Sequence, residues 1–395
     1  MIYITGAGII SAIGTNKIET LSALLNQKTG IEPVKYLQTC HTKCLVGEVK
    51  RSNAEMREVL NIPLSETYIR SSLIGINAVK EALQQAQLKD LNYLNISLIS
   101  SNTVAAMDDV ERYYMDFLNN NSKNRIIELI DCGACTEQIA DFFGGFKMIS
   151  TISTACSSSA NAMIMGANLI ETGRADIVVA GGVECLSRYH LNGFNSLMLL
   201  DKNLCKPFDR DRSGINLGEG AGYLVLESAD SVQKRGIIPI GKVSGYCNAC
   251  DAYHPTATSK NGTGPYIAMK GALISAGLLP DDIDYINAHG TGTQNNDLTE
   301  GLAVMKLFGD KIPPLSSVKA FMGHTTSAAG GCEAVISLLV LENNFLPINL
   351  NYINKIEEHS FTPITNSLSI RPINNILSNS FGFGGNDSSI ILSKI

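Results

Sequence analysis

The residue types that could do chemistry lie in four places. The first is Thr154-Ala155-Cys156-Ser157-Ser158-Ser159, a cysteine among small residues. It follows an apolar, β-prone stretch at 148–153 and precedes a helical pattern at 160–172. That order puts the thiol at a strand-to-helix turn. There unpaired N–H groups and the helix dipole favour thiolate, and small neighbours leave room for a substrate. For a lone cysteine in such a place, buried structure is the preferred reading. Two histidine turns and a glycine loop downstream reverse that balance. His289 follows the strand pattern 285–288 and opens Gly290-Thr291-Gly292-Thr293. A histidine at a strand end is a natural donor at a ligand site, or one satisfied by backbone, and both readings stand open. His324 ends Ser316-Ser317-Val318-Lys319-Ala320-Phe321-Met322-Gly323-His324. Lys319 there is either a solvated surface lysine or a buried one that needs an acidic partner, for which Glu333, Asp297 and Glu300 are candidates. The fourth place is Asn379-Ser380-Phe381-Gly382-Phe383-Gly384-Gly385. No Lys-Ser/Thr follows it, which argues against a phosphate loop. Glycines around Phe383 suit a hydrophobic gate, with free N–H groups able to hold an oxyanion.

These residues need elements to hold them. Strand patterns fall at 1–5, 96–100, 177–180, 222–227, 285–288 and 389–393, and helical patterns at 15–27, 66–86, 160–172, 264–276, 299–307 and 327–342. The alternation predicts α/β layers around a mostly parallel sheet. Gly6-Ala7-Gly8 lacks the third glycine of a dinucleotide fingerprint and reads as a packing turn. The order strand, tight turn, small-residue helix at 153–173 is echoed at 316–341. Two similar halves would bring two helix N-termini together, with Cys156 on one and His324 near the other. A charged segment at 228–235 marks the boundary, giving halves of 1–234 and 235–395.

Composition limits the alternatives. The chain has 395 residues, 45% hydrophobic and 17% charged, which is globular and not disordered. A net charge of −6 argues against a general nucleic-acid binder. No apolar run reaches the roughly 18 residues of a membrane span. The N-terminus reads as a strand and not as a signal peptide, so a cytoplasmic enzyme is expected. Ten cysteines include the pairs Cys132/Cys135 and Cys247/Cys250. Their wide separation argues against a structural zinc site, and reduced thiols are expected, with no metal.

Together the motifs TACSSSANA (154–162), PFDRDRSGINLGEGAGYLVLE (207–227), DAYHPT (251–256), NAHGTGT (287–293), SSVKAFMGHTTSAAGG (316–331) and NSFGFGG (379–385) resemble, in order and spacing, the β-ketoacyl-[acyl carrier protein] synthases. The resemblance spans nearly the whole chain. A cysteine with two histidines is similar to the elongating class. The resemblance implies a thiolase-like fold, duplicated halves in a five-layer αβαβα sandwich, and a homodimer. It implies that Cys156 carries the acyl chain and that the N–H groups of Cys156 and Phe383 form its oxyanion hole. His289 and His324 would hydrogen-bond the malonyl thioester carbonyl. Lys319 would tune the histidines, with Glu333 nearby and Asp297 and Glu300 supporting. Phe383 would be the gate, and Thr256, Thr291 and Thr293 would contact phosphopantetheine. That group arrives on the acyl carrier protein, so no cofactor of the enzyme's own is implied. Lys206 matches a carrier-docking position, with Arg210 close by.

The chain also departs from the family. Asn386-Asp387 stands after the glycine loop where Thr-Asn is common, and residues 101–146 match poorly. The main expectation is elongation in type II fatty-acid synthesis. The alternative is a ketosynthase of a polyene or polyketide pathway, paired with a partner lacking the cysteine. A binding protein that lost turnover is a third class, against which the intact Cys156, His289, His324 and Lys319 stand.

Overall fold

The computed structural model describes residues 1–120, 124–366 and 372–395. Ten strands form its main sheet. They are β1 (Ile2–Ser11), β2 (Ile96–Ser101), β3 (Met148–Ile152), β4 (Ile177–Glu184), β5 (Gly220–Ser228), β6 (Gly241–Cys250), β7 (Tyr285–Asn287), β8 (Leu315–Ser316), β9 (Asn375–Gly382) and β10 (Asn386–Ser393). From the centre outward the order is β1-β5-β4-β2-β3 on one side and β6-β10-β9-β7-β8 on the other. The first, fifth, fourth, second and third strands of each set of five therefore take the same places, a duplication written in the topology. The two sets join where Ile2, Tyr3 and Ile4 pair with Val243, Lys242 and Gly241.

The sheet is mixed, which corrects the expectation of a mostly parallel one. Only the outer strands are parallel: β2 with β3 and β4, and β7 with β8 and β9. The central pairs β1/β5, β1/β6, β4/β5, β6/β10 and β9/β10 are antiparallel. Continuous apolar runs such as Ile177-Val178-Val179-Ala180 report burial on both faces and not strand direction. The turn Phe383–Gly385 joining β9 to β10 is too short for any parallel connection.

Six helices matter to the site: α1 (Arg70–Gln85), α2 (Ser158–Glu171), α3 (Arg188–Ser196), α4 (Thr263–Ala276), α5 (Gln294–Phe308) and α6 (Ala329–Asn343). α1 covers the outer face of the first set of strands, and α4 with α5 the outer face of the second. α2 and α6 lie between the two. The stack is helix, sheet, helix, sheet, helix. In α6 every residue from Ala329 to Leu341 is buried, as a helix apolar all round must be. Gly6 and Gly8 lie within β1 and not in a turn. A Cβ on either would come within 2.1 Å or 2.0 Å of a carbonyl oxygen of α1, at Ala82 and Ala78.

The middle layer is packed backbone to backbone. A Cβ at Gly222 of β5 would sit 2.3 Å from the Cys332 nitrogen and the Gly331 carbonyl carbon of α6. Neither atom can step aside without moving the helix that follows His324. Gly222→Ala is therefore expected to destabilise the fold by about 1–3 kcal/mol, the usual range for overpacking. Urea denaturation checks this, and an unchanged midpoint would contradict the close approach.

Residues 101–146 contain three helices, Met107–Asn120, Asn124–Glu128 and Cys132–Phe143, with 121–123 outside the described residues. Among the described residues, no helix is long and apolar enough to cross a membrane.

Candidate active site

Cys156 lies between β3 and α2, in a turn that the local sequence forces into an unusual shape. Ala155 takes φ +52°, a left-handed conformation that costs a non-glycine residue roughly 1 kcal/mol or more. Hydroxyls hold it there. The Thr154 N–H donates to Ser158 Oγ at 2.8 Å, Ser158 Oγ donates to the Ala155 carbonyl at 2.6 Å, and Ser157 Oγ to the Thr154 carbonyl at 2.9 Å. The serines after the cysteine thus build the turn. Only 5% of Cys156 is exposed.

Burial pushes the Cys156 thiol up to about 11. The nearby Lys319 charge and the backbone N–H groups of Phe383 and of Cys156 itself act the other way, and Glu333 adds to the rise. The expectation that the helix start favours thiolate is corrected accordingly. The N–H groups do face the sulfur, but loss of water outweighs them.

His324 stands 3.2 Å from that sulfur through Nε2. Its backbone N–H donates to the Asn216 carbonyl at 2.7 Å and its carbonyl accepts from Gly218 at 2.9 Å, fixing the turn before α6. Its Nδ1 is buried and finds no hydrogen-bond partner among the described residues. Buried N–H groups left unpaired are rarer than unpaired acceptors, so the ring's hydrogen belongs on Nε2.

His289 leaves β7 into a turn clamped by Glu300 of α5. The carboxylate accepts the N–H groups of His289 at 2.9 Å and Gly290 at 2.8 Å, and the Asn379 side chain at 3.2 Å. Lys319 is buried to 1% exposure, not solvated. Its Nζ donates to the His289 carbonyl at 2.5 Å, pairs with Glu333 Oε1 at 2.5 Å and lies 3.2 Å from His289 Nδ1. A donor at Nδ1 leaves the ring hydrogen on Nε2, pointing to the site. Of the three acidic candidates, Glu333 is therefore the partner of Lys319. Asp297 serves elsewhere: it accepts from the N–H groups of Phe208 at 2.7 Å and Thr291 at 2.9 Å and pairs with Arg212 at 3.9 Å.

Burial holds both histidines well below the ordinary imidazole range. Lys319 adds to this in each, as does His324 for His289. Two neutral rings result, meeting edge to face with centroids 5.3 Å apart and planes at 81°. The sulfur and one nitrogen from each ring lie within 4.8 Å of one another, the only such His/Cys/Asp/Glu group among the described residues. The pairs Cys132/Cys135 and Cys247/Cys250 form none, and all ten cysteines are free.

A cavity of about 370 Å³ opens over this cluster. Cys156, His289 and His324 line it, together with Thr256, Thr291, Thr293 and Phe383. Thr291 and Thr293 share a hydroxyl contact of 2.9 Å, and Thr256 is exposed at the rim. Phe383 is half-buried, its ring stacked on Phe194 of α3 at 5.9 Å and 26°. Gly384 and Gly385 take φ +82° and +74°, as the tight turn requires. Lys206 and Arg210 do not line the cavity, and Arg210 is exposed and paired with Asp211 at 3.2 Å. Phe194 escapes the sequence reading, because nothing in its helix marks one aromatic as the support of a residue 189 positions later.

The chain also matches known proteins. Residues 1–231 match the family Beta-ketoacyl synthase, N-terminal domain, and residues 240–353 match Beta-ketoacyl synthase, C-terminal domain. The chain belongs to the beta-ketoacyl synthase family, and it is an acyl-transferring enzyme that forms carbon–carbon bonds. It is similar to a 3-oxoacyl-[acyl-carrier-protein] synthase 2 of Staphylococcus aureus, 30% identical over 403 residues that cover 98% of this chain and 99% of the relative. Among solved structures, the ishigamide ketosynthase/chain length factor superposes with a TM-score of 0.90 at 28% identity, covering 100% of this chain and 99% of that one. A ketosynthase from Xenorhabdus doucetiae in complex with its chain length factor gives 0.88 at 30%, covering 100% and 98%.

Proposed function

We propose that the enzyme condenses an acyl group carried on Cys156 with a malonyl unit on acyl carrier protein, lengthening the chain by two carbons in type II fatty-acid synthesis. The observation that carries this reading is one sulfur and two neutral, N–H-bearing imidazoles gathered within 4.8 Å at one cavity. The Cys156 sulfur attacks the thioester carbonyl of an acyl carrier. The oxyanion formed is held by the N–H groups of Cys156 and Phe383, and the carrier sulfur leaves with the proton that the Cys156 thiol gives up. The malonyl thioester then binds with its carbonyl oxygen between His289 Nε2 and His324 Nε2. Its bond to the carboxylate breaks, carbon dioxide departs, and the electron pair forms an enolate that the two donors stabilise. The enolate carbon attacks the Cys156 thioester, the carbon–sulfur bond breaks with the Cys156 thiolate as leaving group, which takes up a proton from water, and a 3-oxoacyl group remains on the second carrier. Thiol and imidazoles suffice for each step, with the pantetheine arm supplied by the carrier.

In this reading Lys319, held by Glu333, fixes the His289 tautomer. Glu300 and Asp297 hold the two turns, and Thr256, Thr291 and Thr293 bind the pantetheine. Lys206 and Arg210 meet the acidic carrier at the surface. The enzyme works as a homodimer in the cytoplasm. Incubation of the protein with acyl and malonyl carrier proteins, followed by mass spectrometry of the carrier-bound products, tests the whole scheme. Absence of a 3-oxoacyl product two carbons longer would refute it.

A second reading has support of its own, since solved ketosynthases that superpose so closely were determined with chain length factors. The enzyme would then extend a polyene or polyketide chain repeatedly beside a sister subunit without the cysteine. A single extension per carrier by the isolated protein favours the first reading. Copurification of a sister subunit and products of several extensions favour the second.

Phe383 is the gate in either case. Because its ring is half-buried and stacks on Phe194, Phe383→Ala is expected to leave the melting temperature nearly unchanged while slowing condensation. A core phenylalanine would instead cost about 3–5 kcal/mol. A large fall in melting temperature with unaltered kinetics of the folded fraction would rule out the gate.

A further inference from the structure

The two N–H groups that face the Cys156 sulfur come from distant parts of the chain. One belongs to Cys156, in the turn between β3 and α2. The other belongs to Phe383, in the turn between β9 and β10. An oxyanion hole needs both donors at one spacing, about 2.7–3.1 Å from the oxygen they hold. Backbone pairing does not supply that spacing. Among the described residues, no backbone hydrogen bond joins 153–158 to 381–387.

The link is a side chain. Asn386, the first residue of β10, pairs with Gly382 across the turn that carries Phe383. Its Oδ1 accepts from Ser157 Oγ, next to Cys156, at 3.0 Å and from Asn161 Nδ2 of α2 at 2.8 Å. Asn248 Nδ2 of β6 reaches the same oxygen at 2.7 Å. Three donors at one atom fix which way the amide faces. Asn161 is oriented in turn by Ser388 Oγ, which donates to its Oδ1 at 2.8 Å. The path from one N–H to the other thus runs through a neighbouring residue, one hydrogen bond and one strand pair. The two turns also approach closely, since a Cβ on Gly382 would lie 2.9 Å from the Thr154 carbonyl oxygen and 3.2 Å from Ser157 Oγ. Asparagine stands here where threonine is common in the family, and its acceptor lies one bond farther from the backbone.

We propose that Asn386 is the positioning residue of the oxyanion hole, holding the N–H groups of Cys156 and Phe383 at one spacing through Ser157 and Asn161. The proposal rests on the reading that Cys156 is acylated in that hole. Folding does not depend on the link. Without Asn386 Oδ1, Ser157 Oγ gives its whole hydrogen to the Thr154 carbonyl at 2.9 Å. Asn161 Nδ2 keeps Thr154 Oγ1 at 2.9 Å, and Asn248 Nδ2 keeps Ser388 Oγ at 2.9 Å. No donor is stranded, so each turn stays whole while their relation loosens. The imidazoles are held elsewhere, His289 by Lys319 and Glu300 and His324 by the Asn216 and Gly218 backbone. The acyl and malonyl halves of the cycle should therefore respond differently.

Asn386→Ala tests this through three rates measured on one preparation. The first is acylation of Cys156 by acyl carrier, followed by intact-protein mass spectrometry. The second is carbon dioxide release from malonyl carrier. The third is alkylation of Cys156 by iodoacetamide, which displaces iodide and forms no oxyanion. Acylation is expected to fall about 10- to 100-fold, less than the loss of a whole donor would cost. Decarboxylation and alkylation should stay close to wild type. A merely structural role would lower all three together through the folded fraction, and that result overturns the proposal. If Asn386→Ala does not fold, Asn161→Ala takes its place, a change to the best helix former within α2. It should slow acylation alone, and acylation at the wild-type rate overturns the proposal. A wild-type enzyme that takes no acyl group on Cys156 refutes the condensation reading and the proposal with it. Wild-type acylation that Asn386→Ala leaves untouched refutes the proposal alone.

Discussion

The Cys156→Ala enzyme is expected to yield no condensation product while still releasing carbon dioxide from malonyl carrier. Among the described residues lining the cavity the sulfur is the one thiol, able to accept an acyl chain and later give it up. Alanine removes that capacity and little else. The turn around it is held by Ser157, Ser158 and backbone, none of which uses the sulfur. Both imidazoles keep their supports, Lys319 and Glu300 for His289 and the Asn216 and Gly218 backbone for His324. The enolate-forming half of the cycle should therefore survive. The measurement is carbon dioxide release alongside product analysis on the same sample. Condensation product from the alanine variant would place the acyl chain on another thiol.

The second large effect concerns the imidazoles. Removing one donor from a pre-arranged oxyanion site lowers the rate by a factor of about a hundred to a thousand. His289→Ala and His324→Ala are each expected to lose that much malonyl decarboxylation. They should differ in acyl transfer to Cys156. Only His324 touches the sulfur, at 3.2 Å, so His324→Ala should slow acylation as well, and His289→Ala should leave it close to wild type. Acylation is read by intact-protein mass spectrometry after a brief exposure to acyl carrier. Wild-type decarboxylation by both variants would remove the imidazoles from the malonyl step.

Much of this site can be read in the sequence because turns and small residues announce themselves. Cys156 between an apolar run and an alanine-rich helix, and His289 and His324 at glycine turns, are placed where local pattern puts them. Lys319 is legible as a question, since a lysine amid apolar neighbours needs a partner, but only the fold chooses Glu333 over Asp297 and Glu300. β9 is harder. Ser378, Asn379 and Ser380 are buried strand residues whose polar groups are met by distant side chains such as Glu300, so the segment looks like a loop in isolation. β6 is hidden for the same reason, because Ser244, Cys247 and Asn248 give it no clean alternation. Strand direction is likewise invisible, since burial on both faces gives the same apolar run in parallel and antiparallel strands. The state of the Cys156 thiol needs the structure outright, because a helix start is evident in sequence and exclusion of water is not.

The place of β1 bears on how the chain is made. Its residues 2–11 are made before the other strands of the sheet, yet its two neighbours are residues 220–228 and 241–250. At about 5–20 residues per second, the strand waits roughly 10–40 seconds for its first partner. Throughout that interval an apolar strand with both edges unpaired is open to the wrong company. The centre of the sheet can close only after more than half of the chain exists, which makes assembly of this enzyme a late, non-local event and a natural client for chaperones during synthesis.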